Sequence, residues 1–222
     1  MENEEKDNKT NEIEAPSIKE RYEILIKARN FHYENYSKWM TYFYVAISAL
    51  FVSFYTISSK TNAEIENQDL LQFSLLVIGF IVSLLWYWSS KGYYYWNINF
   101  ISMVNFYESV IFDWKPEERV YKVFYDKSLQ NNYMSPVSGA NISTSKIAIL
   151  FAYVITLFWG FLLFFKCYES LNCTCNSVFI ILLSMLSSIF AILILSVIIP
   201  KYVLFSKNDE FPEIVNKTNV KI

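Results

Sequence analysis

The chain has 222 residues, of which 54% are hydrophobic and 19% aromatic, and its formal net charge is −2. A balance of 19 Lys and Arg against 21 Asp and Glu excludes the basic surface that nucleic-acid binding needs. With four glycines and one histidine, the sequence offers no glycine-rich phosphate loop, nucleophile–base pair or metal motif. We therefore expect no enzyme activity, no catalytic residue, no metal site and no cofactor.

The N-terminal arm begins with a polar tail and continues as a helix. Residues 1–16 are rich in Asn, Glu and Lys, which predicts disorder. Ser17 and Glu20 then match the S-x-x-E capping box at a helix start. Apolar and aromatic residues follow at intervals of three and four, and no helix breaker precedes the first apolar stretch. The pattern predicts one helix from about Ser17 to about Ser58.

His32, the only histidine, lies on the apolar stripe of this arm. Its position favours a core or interface role. The alternative is a pH sensor, because an unperturbed histidine titrates near pH 6.5.

Four apolar stretches of 20–22 residues have the length that a helix needs to cross a bilayer core of roughly 30 Å. Their only charged residue is Lys166, at the end of the third stretch. The sequence predicts an all-α membrane protein with four transmembrane helices, at about residues 39–58, 71–90, 147–166 and 178–199.

Basic residues indicate how the spans are oriented. The arm 1–38, the central loop 91–146 and the tail 200–222 contain seven, six and four Lys or Arg residues. The opposite side of the membrane has Lys60 and Lys166. The positive-inside rule therefore predicts cytoplasmic N and C termini. Residues 17–205 would form the transmembrane domain, and residues 206–222 a short cytoplasmic tail.

The second span is expected to continue into the cytoplasm as an aromatic helix. Residues 91–112 contain too many aromatic side chains for a solvated loop, yet too many polar groups for a fifth span. We call residues 17–38 and 91–146 the crown, and expect its aromatic surface to be buried by lipid headgroups, by the arm or by a second copy. The candidate crown or oligomer interface comprises His32, Tyr93, Tyr94, Tyr95, Trp96, Asn97, Asn99 and Phe100.

The rest of the central loop is predicted to contain one short helix. Pro116-Glu117-Glu118 suits a first helical turn and predicts a helix to about Gln130. A polar loop should follow, and Ser143, Thr144 or Ser145 can cap the third span.

All three cysteines, Cys167, Cys173 and Cys175, lie in or beside the second outer loop. An outside loop is usually oxidising, so Cys167 could pair with Cys173 or with Cys175. A bond between Cys173 and Cys175 would close a strained ring. The unpaired third cysteine could join two subunits. Zinc is the disfavoured alternative, because a fourth ligand is missing.

The polar residues of the spans are Ser, Thr and one Gln, rather than the ionisable groups of ion-coupled transporters. Small residues four apart, such as Gly79 with Ser83 and Ser184 with Ser188, favour close helix packing. A serine-lined pore is the alternative interpretation.

Three segments resemble the RipA family of bacterial membrane proteins: ARNFHYENYSKWMTYFYVAISALF (28–51), WYWSSKGYYYWNINFI (86–101) and SPVSGANISTSKIAILFA (135–152). The similarity extends over about residues 18–205. It implies a four-pass protein of the bacterial inner membrane that assembles as an octamer. It also implies a role in growth inside host cells and in adaptation to cytosolic conditions such as pH, and no enzymatic activity is established for that family.

These patterns support two main functions. The first is a homo-oligomeric membrane scaffold for stress or host-cell adaptation, in contact with the lipid bilayer, with further copies of itself and with an unknown cytoplasmic protein. The second is a channel or membrane-permeabilising effector, for example in antiphage defence. A membrane enzyme is the third alternative, and would require Asp113, Glu117, Glu118 and Asp126 to cluster around a cleft.

Overall fold

The computed structural model describes residues 16–60, 67–122, 140, 142–170 and 177–204, and these are helical with no strand. The α-helices are α1 (Ile18–Ser58), α2 (Gln68–Phe106), α3 (Thr144–Ser170) and α4 (Ser177–Tyr202). A π-helical turn, Tyr107–Ile111, follows α2, and a 3-10 turn spans Pro116–Glu118. All four α-helices are long and apolar enough to cross a membrane, which confirms the predicted fold class.

Helix α1 begins at the predicted capping box. The Ser17 backbone N–H donates to the Glu20 carboxylate over 2.6 Å, and the Glu20 N–H donates to the Ser17 hydroxyl over 3.3 Å. These bonds hold the pKa of Glu20 below its ordinary value. The helix then runs without a break for 41 residues, as its periodicity predicts.

The other helices extend past the predicted spans. Helix α3 starts at Thr144, where the Ser143 hydroxyl accepts a bond from the Lys146 N–H. Helix α4 includes Pro200 and ends at Tyr202, slightly beyond the predicted end. Proline has no backbone N–H to donate, and α4 ends two residues after it.

The short helix predicted from Pro116 to Gln130 does not continue through the described residues after Glu118. Arg119 has extended backbone angles, with φ −79° and ψ 145°. The next N–H, that of Val120, donates to the Glu108 carboxylate instead of to a helical carbonyl. This side-chain acceptor competes with helix propagation. Residues 123–130 lie outside the described residues.

The chain forms two compact units. The span unit comprises Tyr36–Trp96 with Asn131–Ile222, and the hairpin unit comprises Met1–Asn35 with Asn97–Gln130. The core of the span unit is built around two fully buried indoles, Trp86 and Trp159. Gly79 of α2 and Gly160 of α3 allow close approach, because a Cβ at either position would collide with a neighbouring side chain.

Hydroxyl groups also serve packing in the span unit. Ser188 of α4 donates to the Leu157 carbonyl of α3 over 3.2 Å, and Tyr168 and Ser187 share a 2.7 Å bond. The buried Ser83 and Ser184 bond to carbonyls of their own helices. These contacts agree with the close helix packing expected from the small residues.

Several expectations concern residues outside those described. They are the disorder of residues 1–15, the tail 206–222 and the positions of Cys173 and Cys175. Cys167 is half-buried near the end of α3, and its pairing stays a prediction.

Candidate functional site

The predicted interface residues occupy different sides of α2. Tyr93, half-buried, stacks on Tyr36 with ring centroids 3.5 Å apart. Tyr94 is also half-buried, whereas Tyr95 and Trp96 are exposed. Consecutive helical residues are rotated by about 100°, so these four side chains cannot share one face.

The remaining candidates belong to the hairpin unit. His32 is half-buried with its ring 5.2 Å from that of Phe100. Asn97 is buried, and Asn99 is exposed with its amide 3.7 Å from the Met103 sulfur. His32 and Phe100 thus pack within one subunit, and only part of the candidate set faces outward.

A residue outside that set, Glu108, has the most unusual environment in the hairpin unit. Its side chain is completely buried. One carboxylate oxygen accepts a 2.5 Å bond from the Tyr22 hydroxyl, and the other accepts a 3.1 Å bond from the Val120 N–H. The carboxylate therefore joins α1 to the segment that follows α2. We call Tyr22, Glu108 and Val120 the carboxylate clasp.

A π-helical turn places Glu108 in the clasp. The Phe112 N–H donates to the Tyr107 carbonyl, five residues earlier, and the Trp114 N–H donates to the Glu108 carbonyl. Asp113, at φ 52°, takes the left-handed conformation that reverses the chain. Turns of this kind inside helices often mark functional sites, because they reorient a side chain.

Aromatic rings pack around Tyr22 of the carboxylate clasp. The Tyr22 ring contacts Phe112 and Trp114 edge-on, at centroid distances of 5.2 and 5.7 Å. Tyr107 lies on another side at 6.1 Å. Burial, followed by the bond to Glu108, raises the pKa of the Tyr22 hydroxyl well above its ordinary value. Tyr22 therefore stays a neutral hydrogen-bond donor at physiological pH.

A second contact, from Arg29, reinforces the hairpin unit. The Arg29 guanidinium donates to the Tyr121 hydroxyl over 3.3 Å and lies over the rings of Tyr33 and Tyr121. The Tyr33 and Tyr121 hydroxyls are 3.3 Å apart. Arg29 is a charged residue on the mainly apolar face of α1 that includes Tyr22 and His32, and these cation–π contacts explain its position.

The carboxylate clasp is suited to holding a fold rather than to acid–base chemistry. Both Glu108 oxygens bond to groups of the same chain, and the Glu108 side chain is completely buried. Asp113, Glu117 and Glu118 are exposed, and Asp126 lies outside the described residues. Among the described residues, no three His, Cys, Asp or Glu side chains are grouped as metal ligands.

The sequence contained one signal for Glu108. It is the only charged residue between Lys91 and Asp113, a position that argues against a fifth span. A single charged residue in an otherwise uncharged segment suggests that its side chain has a bonding partner, but the sequence does not identify that partner. Tyr22 is 86 positions away, so only the fold brings the two together.

An ion pair connects two helices of the span unit near the predicted outer surface. The Lys166 ammonium lies 3.0 Å from the Asp69 carboxylate, beside an open cavity of about 410 Å³ that Glu169 and Phe73 also line. The pair is largely exposed on the Asp69 side, so we expect it to contribute little stability.

Comparison with known proteins identifies the family. Residues 19–168, more than half of the chain, match a family model described as the octameric membrane protein family (8xMP). Searches of curated proteins and of solved structures gave no significant match. The matched region includes α1, α2, the carboxylate clasp and nearly all of α3. With four apolar helices and this match, the chain belongs to the octameric membrane protein family.

Proposed function

We propose that the protein is a non-enzymatic, oligomeric scaffold of the bacterial inner membrane that supports stress or host-cell adaptation. The observation that carries this proposal is that buried polar side chains bond to groups of the same subunit. The carboxylate clasp and the buried Ser188 hydroxyl join segments within the subunit, and the buried Ser83 hydroxyl bonds to its own helix. The octameric family supports self-association, and the resemblance to the RipA family favours the bacterial setting.

The scaffold proposal also specifies how the protein is oriented in the membrane and what it binds. The excess of basic residues favours cytoplasmic termini, which would present the hairpin unit to cytoplasmic proteins. Tyr95 and Trp96 are exposed aromatic residues suited to a membrane interface or a protein partner. The near-neutral charge argues against nucleic acid as a partner.

Ion flux in proteoliposomes tests the scaffold proposal. The purified octamer would be reconstituted in vesicles loaded with K⁺, with protein-free vesicles and a channel-forming peptide as controls. We expect K⁺ and H⁺ leak equal to that of the protein-free vesicles. In cells, Trp96→Ala should impair stress survival without reducing the amount of protein in the membrane. Leak that rises with the protein content would contradict the scaffold function.

One feature of α1 favours the alternative, a channel. Thr41, Ser48 and Tyr55 are exposed in the subunit and recur at intervals of seven, so they form a polar stripe along one side of α1. Hydroxyls facing outward from a span suit a wet axis as well as a subunit contact. A channel predicts that Ser48→Leu changes conductance. Ser53→Leu, at an exposed position on another side of α1, should leave it unchanged.

A further inference from the structure

The outward face of α2 in the hairpin unit carries no charge. Between Gly92 and Phe112 the only charged residue is Glu108, and its side chain is buried. Met103 and Phe106, three residues apart on one face of α2, are 42 and 50% exposed, and Val110, 65% exposed, follows in the π-helical turn. We call these three residues the α2 stripe. A helix face in water normally carries charged side chains. An uncharged, apolar face of this kind is typical of a surface that a partner covers.

Helix α1 presents a second apolar surface in the same unit. Ile24 and Phe31 are 57 and 64% exposed, and Ala28 lies between them on the same side. We call these three residues the α1 stripe. Unlike the α2 stripe, it has exposed charged neighbours, Lys27 and Glu34. An apolar centre with a charged border is typical of a protein interface.

Lipid is a poor candidate to cover the α2 stripe. At about 1.5 Å per residue, the 39 residues of α2 extend for about 58 Å, whereas a bilayer with its headgroups is about 40–45 Å thick. Phe106 follows the predicted end of the second span by 16 residues, or about 24 Å of helix. The stripe therefore belongs to the part of the helix that extends beyond the bilayer.

The symmetry of a membrane octamer requires two different contact surfaces on each subunit. Copies inserted in the same direction in one bilayer can be related only by an axis along the membrane normal. A closed ring about that axis uses a heterologous contact, in which one patch binds a different patch of the next copy. The hairpin unit offers two such patches, one on each helix.

We propose that the α2 stripe of one copy packs against the α1 stripe of the next copy around the octamer. The neighbour covers Met103, Phe106 and Val110 with Ile24, Ala28 and Phe31, while Lys27 and Glu34 lie at the border. His32 and Phe100 stay inside each subunit. This contact rests on the oligomeric part of the proposed function, and is independent of whether the octamer conducts ions.

Disulfide cross-linking between subunits tests the pairing. In a background with all three cysteines replaced by Ser and confirmed to be octameric, Phe31→Cys and Phe106→Cys would be co-expressed on chains with different tags. We expect mixed dimers of the two tagged chains, and no cross-link when either variant is expressed alone. A chain carrying both changes should give a ladder up to the octamer.

Asn30→Cys is the matched control for Phe31→Cys, because it is exposed and rotated by about 100° around α1. It should cross-link to Phe106→Cys much less. Self-linking of a single variant would indicate a two-fold contact, and links only within one chain would show that the stripes face each other in one subunit. Either result, or an intact octamer without cross-links, would overturn the proposal.

A charge substitution provides an independent measurement. Phe106→Glu should convert most octamers to smaller species in native mass spectrometry from nanodiscs. Ile98→Glu changes an exposed apolar residue on another side of α2 and should leave the octamer intact. Slow hydrogen exchange around Glu108 would verify that the hairpin unit is folded in both variants. An octamer unaffected by Phe106→Glu would contradict the proposed contact. A disulfide within one chain between Phe106→Cys and a cysteine introduced among residues 123–139 would then assign the stripe to the chain's own segment.

Discussion

Glu108 and Tyr22 form a bond whose loss should be measurable because Glu108 is completely buried and Tyr22 is half-buried. Glu108→Ala would leave the Tyr22 hydroxyl and the Val120 N–H without their acceptor. An unsatisfied buried polar group costs about 1–3 kcal/mol, and both of these groups are partly buried, so we expect the hairpin unit to open more readily by up to about that amount. Glu108→Gln keeps one acceptor oxygen and should cost less. Hydrogen exchange of residues 98–122 measures the opening.

The exposed Glu117 provides the control for this prediction. Glu117→Gln removes the same charge from the same segment and should leave hydrogen exchange unchanged. Equal protection in Glu108→Ala and the unchanged protein would show that the carboxylate clasp does not hold the hairpin unit together.

The raised pKa of Tyr22 also implies a pH dependence. Folding favours the neutral phenol, so the contribution of Tyr22 is fully present below its ordinary pKa of 10.0. It is lost as the pH rises above that value, because the unfolded chain then ionises first. Protection of residues 98–122 should therefore fall above about pH 10, and Tyr22→Phe should weaken this fall. An equal fall in Tyr22→Phe would assign the alkaline effect to other groups.

Sequence patterns predict more about helices than about individual contacts. The capping box at Ser17 and the unbroken periodicity predict α1 almost to the residue, because both signals are local. The helix predicted from Pro116 is interrupted at Arg119 for a non-local reason, since the Glu108 carboxylate binds the Val120 N–H. The carboxylate clasp depends on pairing between distant segments, which no local pattern encodes.

Packing between α2 and α3 provides a prediction at the scale of helices. A Cβ at Gly79 would collide with the Trp159 indole, whereas one at Gly92 would meet no atom within 4 Å. Gly79→Ala should therefore destabilise the span unit by about 1–3 kcal/mol, the usual cost of overpacking. Gly92→Ala should be neutral or stabilising, because alanine favours helix. Thermal unfolding in detergent measures both variants.

Trp159→Phe tests whether collision with the indole causes the destabilisation by Gly79→Ala. The smaller ring should relieve the clash, so Gly79→Ala should cost less in that background than in the unchanged protein. Equal destabilisation by Gly79→Ala in the two backgrounds would mean that Gly79 is needed for a reason other than space for the Trp159 indole.

The whole molecule combines an apolar bundle with a one-sided distribution of charge. Family membership accounts for the octamer, but the orientation depends on 17 basic residues on one predicted side against two on the other. Translocating the basic segments would be far more costly than translocating the two short outer loops. We therefore expect the loop 167–177 outside and the tail after Pro200 in the cytoplasm.

Thiol labelling of intact cells measures this orientation. After mild reduction with an impermeant reductant, an impermeant maleimide should label Cys173 or Cys175. A cysteine introduced by Ser206→Cys, in a background without the native cysteines, should react only after the membrane is permeabilised. The reverse pattern would place the hairpin unit outside the cell, where a cytoplasmic partner could not reach it. Labelling of both sites in intact cells would indicate copies inserted in both directions, and such an octamer could not use the single head-to-tail contact proposed for its ring.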